Sequence, residues 1–232
     1  MVTQLALPWD WLALLSQGKE VRIDSSARLA NEVLRRQQER QQQGHTVPAK
    51  YPSPVPQLPA QIEVEPLALL HAIGRITTPV VPKFADLSAT WALYRYVWAF
   101  APHAGRLSLS SHAKEIDFHQ KGLLSDEIGI GMAYWLMFEH FGAKAVIDVD
   151  VALRHPQIAT QMGFPAVMRT SSSVPDYIFS LPNGEYAVVE CKGSQSGAPT
   201  SLDQIRRGLE QVPSIAFANG QTAQEFVIAT LL

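Results

Sequence analysis

The chain has 232 residues, 47% of them hydrophobic and 17% charged, which is enough apolar content to bury a core and excludes a mainly disordered chain. Nineteen Lys and Arg against 21 Asp and Glu leave a formal charge of -2, so this is not a strongly cationic protein whose charge alone announces nucleic acid. Its single cysteine, Cys191, can form neither an internal disulfide nor a Cys-rich zinc site, and the oxidised secreted class loses its usual support.

The N-terminus, MVTQLALPWDWLALL, lacks the basic start of a signal peptide and carries Asp10 inside its apolar stretch. Nowhere do about 18 consecutive apolar residues occur, so no membrane span is expected and the expected location is the cytoplasm. Residues 1–47 read as an N-terminal helical segment. Within it DSSARLANEVLRRQQERQQQ is dense in helix formers, with Asp24, Ser25 or Ser26 as N-cap and Gly44 as terminator. Residues 48–66 hold six prolines and read as an extended, Pro-rich linker. Residues 67–106 look helical again. Trp91, Tyr94 and Trp98 recur at spacings of three and four, and that stripe reads as core packing rather than as a base-stacking platform.

From 107 to 232 the pattern changes. A helix from about Leu123 to Phe141 precedes a β-branched run, Ala145 to Leu153, expected to be a strand. Then come VPDYIFSL, a turn at Pro182-Asn183-Gly184, EYAVVECKG, a helix beginning near Ser201, and a last strand FVIATLL. The last strand runs to Leu232 with no visible cap, which hints at continuation in a longer relative. The order helix, strand, strand, strand, helix, strand predicts an α/β fold around a central mixed sheet. Charge is also split: residues 1–106 hold 11 basic and 8 acidic side chains, and residues 107–232 hold 8 and 13. An acidic domain that handles a polyanion needs metal ions to neutralise its site.

The informative stretch is Pro175-Asp176 followed by Glu190-Cys191-Lys192-Gly193. Strand residues two apart share a face, so Glu190 and Lys192 project together and Cys191 points away, towards a core where cysteine is an inert small hydrophobe. A two-residue turn at Asn183-Gly184 puts Asp176 opposite Cys191, on the wrong face; a three-residue loop, Pro182-Asn183-Gly184, puts it opposite Glu190. The residue types favour the latter, since proline suits the first position of a type I turn and glycine the left-handed bulge that closes it. Two carboxylates facing each other stay ionised cheaply only around a cation, and hard oxygen ligands at an open edge suit Mg²⁺ or Mn²⁺, with the Cys191 backbone carbonyl as a further ligand.

Pro175-Asp176 with Glu190-x-Lys192 closely resembles the motif of the PD-(D/E)XK, or restriction-endonuclease-like, nuclease superfamily. The resemblance covers roughly residues 107–232 and implies an αβββαβ core. It further implies a Mg²⁺- or Mn²⁺-dependent hydrolase of phosphodiester bonds, acting on DNA more readily than on RNA, in settings such as restriction, phage defence or repair. By the same resemblance, Asp176 and Glu190 hold the metal, Lys192 supports water and phosphate, and Glu127 on the preceding helix is a further metal-site acid. Gly131, one turn on, is expected to let that helix lie close on the sheet. Some members carry a Gln on the helix after the Lys strand, and Gln204 and Gln211 are candidates here. Arg206 and Arg207 on that helix, and Arg35, Arg36 and Arg40 near the N-terminus, are candidate phosphate contacts or else solvated helix faces. The N-terminal helical region is expected to serve target binding, a protein partner or a homodimer. The alternative is a catalytically silent nuclease-fold scaffold. The seven histidines show no zinc spacing, and His112, Asp117 and His119 read as an exposed loop.

Overall fold

The structure is a computed structural model and describes residues 9–45, 52–55, 58–78 and 89–232; parts of the expected N-terminal segment, linker and second helical region lie outside these. The first helix, α1, spans Trp9–Leu15 and leads into strand β1, Lys19–Arg22. Helix α2, Ala27–Gln42, begins where the Ser26 hydroxyl accepts the Leu29 N–H at 3.2 Å, while Asp24 in turn accepts from Ser26. Ser26 is therefore the cap of the three candidates, satisfying a first-turn donor that has no helical partner. The helix stops before Gly44, whose φ of +82° suits only a residue without Cβ.

Part of the Pro-rich stretch is a strand. In β2, Gln61–Val64, Ile62 and Val64 point inward and Gln61 and Glu63 outward, and it pairs antiparallel with β1. Pro66 then occupies the first turn of α3, Pro66–Thr77, where its missing N–H is not needed. Helix α4, Trp91–Tyr96, lasts six residues before tightening into a 3₁₀ turn at Val97–Ala99. The expected aromatic stripe reaches the core only in part. Trp91 and Trp98 pack against the core, but Tyr94 is 74% exposed.

After the short α5, Ser111–Glu115, comes the longest helix, α6, Phe118–Glu139, whose first N–H groups are accepted by the Asp117 carboxylate. It is apolar around much of its girth because it is packed on two sides. Leu124, Ile128, Met132 and Leu136 join the N-terminal core with Leu69, Leu70, Ile73 and Phe100, whereas Ala133 and Met137 join the core of the sheet. Among the described residues no helix is long and apolar enough to cross a membrane.

The remaining elements in order are β3 (Ala145–Asp148), α7 (Val149–Arg154), α8 (Pro156–Gln161), β4 (Val167–Arg169), β5 (Tyr177–Ser180), β6 (Tyr186–Ser194), α9 (Ala198–Gln211), β7 (Ile215–Phe217) and β8 (Ala223–Leu231). Four of the strands form a mixed sheet in the order β3-β5-β6-β8, antiparallel except for the β6–β8 pair, which α9 connects. The chain is thus mixed α/β with a four-stranded mixed sheet. The run Ala145–Leu153 is not all strand as expected: Asp148 turns its carboxylate onto the Val151 N–H at 2.8 Å and caps α7. An N-cap overrides the β preference of the valines that follow. One sheet face, with Tyr177, Phe179, Ala187, Val189 and Cys191, packs on α6; the other carries Ile178 and Val188.

Backbone-to-backbone approach sets the helix–sheet distance. A Cβ on Gly193 of β6 would fall 1.7 Å from the Ser125 carbonyl oxygen of α6, and one on Gly129 would fall 2.8 Å from the Lys192 carbonyl. Gly131, expected to serve this role, faces the other way, where a Cβ would meet Ile73 of α3 at 2.4 Å. Gly193→Ala should therefore lower the free energy of unfolding by about 3 kcal/mol or more, since neither backbone can yield. Gly122→Ala, on the open side of the same helix with no atom within 4 Å, should raise it by up to about 1 kcal/mol. Urea denaturation of both variants measures the contrast.

Candidate active site

The β5–β6 connection determines what faces what. Leu181 donates to the Glu185 carbonyl and Gly184 donates back to Leu181, closing a three-residue loop in which Gly184 takes φ +79°. The resulting register pairs Tyr177 with Val189 and Ile178 with Val188, so one step beyond the ladder Asp176 comes opposite Glu190. This is the arrangement that the odd-length turn predicts.

At that point the ladder ends for a covalent reason. The residue in register with Cys191 is Pro175, which has no N–H to give. The Cys191 N–H is instead taken by the Asp176 carboxylate, at 2.7 Å. In a strand the N–H and C=O of one residue point to the same side, so the Cys191 carbonyl faces the same open edge as Asp176. The Cys191 thiol lies on the opposite face, buried against α6, and its burial holds its pKa far up.

Glu190 is fully buried, and the Lys192 ammonium is hydrogen-bonded to its Oε1. Its second oxygen, Oε2, is buried with no hydrogen-bond partner. Burial first, and then the charge of Asp176, push its pKa up to about 7, against the pull of Lys192. Asp176 is also raised, mainly by burial, while its bond from Cys191 N–H and the charge of Lys192 oppose the rise. Asp176, Glu190 and Lys192 thus meet on one face, and the two carboxyls as a pair hold a proton above the ordinary carboxylate range.

Helix α6 borders this cluster with a different acid from the one expected. Glu127 faces Tyr96 and Arg95 on α4, and burial raises its pKa. The physical reason lies in the helix rotation: the face bearing Gly129 and Ser125 rests on β6, and Glu127 shares the Gly131 side that rests on α3. Asp126 is the acid that feels Lys192. Gln195, just past β6, donates to Lys121 O at 3.2 Å and Ser125 Oγ at 2.9 Å, tying the strand end to this part of the helix. Neither Asp126 nor Gln195 was singled out from the sequence; the pairing of Gly129 with Gly193 was the signal for the former.

On the other face α9 crosses Glu190. A Cβ on Gly208 would fall 2.5 Å from Val227 of β8 and 3.2 Å from Glu190 Cγ, so the missing side chain lets α9 lie close on both strands and over the acid. Gln204 donates to the Gly193 carbonyl at 3.1 Å and keeps a buried, unpartnered Oε1; Gln211 donates to the Val174 carbonyl at 3.3 Å and holds the segment leading into Asp176. Arg206 is 4% exposed and bonded to Asp203 and Glu210 of its own helix, so it is not turned out towards a phosphate. Arg207 is exposed and faces Asp203 at 3.5 Å. On α2, Arg35 is paired with Glu32 and Glu39. Among the described residues no three His, Cys, Asp or Glu side chains form a metal-holding group, which leaves two carboxylates and a carbonyl as the donors at this edge. A groove of about 1000 Å³ lies elsewhere, between α2, α9 and β8.

Compared with protein-family models, with curated proteins and with solved structures, the chain matches none.

A carboxyl whose pKa is raised on folding stabilises the native state while protonated, and that stability is lost as pH rises through the folded value. In EDTA, the melting temperature should therefore fall as pH climbs from about 5 through the Glu190 value of about 7. The Glu190→Gln protein should lack this component. Parallel pH dependences of wild type and variant in scanning calorimetry would contradict the assignment.

Proposed function

We propose that the chain is a metal-dependent nuclease of the PD-(D/E)XK kind, hydrolysing phosphodiester bonds, in DNA before RNA. The observation that carries this reading is the meeting of Asp176, Glu190 and Lys192 at a sheet edge where Pro175 leaves the Cys191 carbonyl without a ladder partner. The order of the sheet-forming elements, α6, β3, β5, β6, α9, β8, agrees with the αβββαβ core that the motif implies.

The residues present fit a divalent cation. Glu190 Oε2 is buried without a partner, a costly state for an ionised carboxylate unless a cation answers it. The donors are all hard oxygens, two carboxylates and one carbonyl, few enough to suit Mg²⁺ or Mn²⁺ that keep waters and accept phosphate oxygens. Asp176, Glu190 and the Cys191 carbonyl would hold the ion, which would supply a water of lowered pKa and neutralise charge on the phosphate. Lys192 can leave Glu190 for a phosphate oxygen once a cation takes its place at the acid. Gln211 and Gln204 act through the backbone: one fixes the approach to Asp176 and the other fixes Gly193, beside Lys192. Glu127, directed to α4, has no part in this site.

One observation favours the silent-scaffold reading, namely that Lys192 already satisfies half of Glu190 as an ordinary ion pair. A cleavage assay separates the two. Supercoiled, linear and single-stranded DNA and RNA are incubated with Mg²⁺, Mn²⁺ or EDTA. Metal-dependent cleavage is expected, with rates down by about 10²-fold or more in Asp176→Ala and Lys192→Ala and near wild type in Glu127→Gln. Cleavage that survives either of the first two substitutions removes the nuclease reading from this site. No metal-dependent cleavage of any of these substrates favours the scaffold.

A further inference from the structure

Two large aromatic rings among the described residues stand in solvent, and packing explains neither. Phe118 is 91% exposed and Tyr94 is 74% exposed. They belong to the two elements that Arg95 joins by donating to Gln120 at 3.2 Å, so both sit near the start of α6. Phe118, Gly122 and Asp126 are four residues apart, which puts them in one row along the helix, about 12 Å from end to end. All three are exposed, and nothing comes within 4 Å of the Cβ that Gly122 lacks. The row is thus an open path beginning at a bare ring and ending at the acid that feels Lys192.

We propose that this row of α6 is the path along which an unpaired nucleic-acid strand reaches the candidate active site, with Phe118 stacking on one of its bases. The inference rests on the nuclease reading for its endpoint and adds the substrate class. Cations stand at both ends of the path, Arg95 beside Gln120 near its start and Lys192 by Asp126 at its end; of the two acids near the start, Asp117 is occupied as the cap of α6 and Glu115 is exposed on the preceding helix. Flanking elements bound it, α4 through Arg95–Gln120 on one side and the tail of β6 through Gln195–Ser125 on the other. An aromatic ring beside a cation, with a second cation further along, is the means by which proteins hold single strands without reading sequence: the ring takes a base face and the cations take phosphates. A paired base inside a duplex offers no free face to the ring, so the platform discriminates for strands that are single or frayed.

Binding is measured in EDTA, where no metal-dependent cleavage occurs, by the fluorescence anisotropy of a labelled oligothymidylate and of a labelled duplex of equal length. Phe118→Ala should weaken oligothymidylate binding about tenfold while leaving the duplex within about twofold, and Phe118→Tyr should restore it. Gly122→Leu, which favours the helix and fills the path, should weaken it likewise. Wild-type protein that fails to bind oligothymidylate, Phe118→Ala that binds it as wild type does, or equal losses on both ligands each overturn the proposal. A protein that binds through Phe118 but cleaves nothing leaves this inference standing and removes the nuclease reading. A cleaving protein with Phe118-independent binding does the reverse.

Discussion

The loop Pro182-Asn183-Gly184 sets the register on which the candidate site depends, because side chains alternate along a strand and one residue more or less exchanges the faces of β6. With Gly184 in the left-handed region the count is three, and Glu190 and Lys192 lie under α9 while Cys191 packs on α6. With a two-residue loop the two charged side chains would press into Ala133 and Met137, and the thiol would stand where the acids now meet. The same register brings Pro175 level with Cys191. One imino acid therefore does two things at once: it ends the backbone ladder, and it frees the edge that Asp176 then occupies.

Around that edge the layers are held at distances that only glycine allows. Gly193 and Gly129 let the backbones of β6 and α6 touch, and Gly208 lets α9 ride over Glu190. The acid pair is consequently shielded from water on both sides of the sheet. That shielding is the main cause of the raised pKa values, with the mutual repulsion of the two carboxyls added to it for Glu190. A surface hairpin with the same residues would have a screened Glu–Lys pair of little consequence.

Much of this was legible in the residues. The turn chemistry announced the register, the alternation in VVECKG announced which side chains share a face, and Ser26 was among three capping candidates that local hydrogen bonding alone could rank no further. What the sequence could not convey was rotation and rank among neighbours. Asp126 and Glu127 are adjacent and chemically alike, and which of them faces Lys192 depends on Gly129 meeting Gly193, a contact 64 residues apart in the chain. Arg206 and Arg207 pose the same problem: one is buried in pairs along its helix and the other exposed, a difference of one helical step. The strand expected over Ala145–Leu153 was shortened by a single carboxylate, because Asp148 can serve as a cap as well as a strand residue.

The two-sided packing of α6 has a practical meaning for anyone who would work with the sheet half alone. A chain cut after residue 106 keeps the motif, the hairpin and the glycine contacts, yet it strips the cover from Leu124, Ile128, Met132 and Leu136. Four large apolar side chains on one helix face make a patch of the kind that drives association between molecules. Such a fragment would be prone to aggregate, and any property it lost on truncation could be traced to a missing lining as well as to a missing module. The N-terminal half is in this sense the other wall of a shared core, and the motif-bearing residues inherit their rigidity from it.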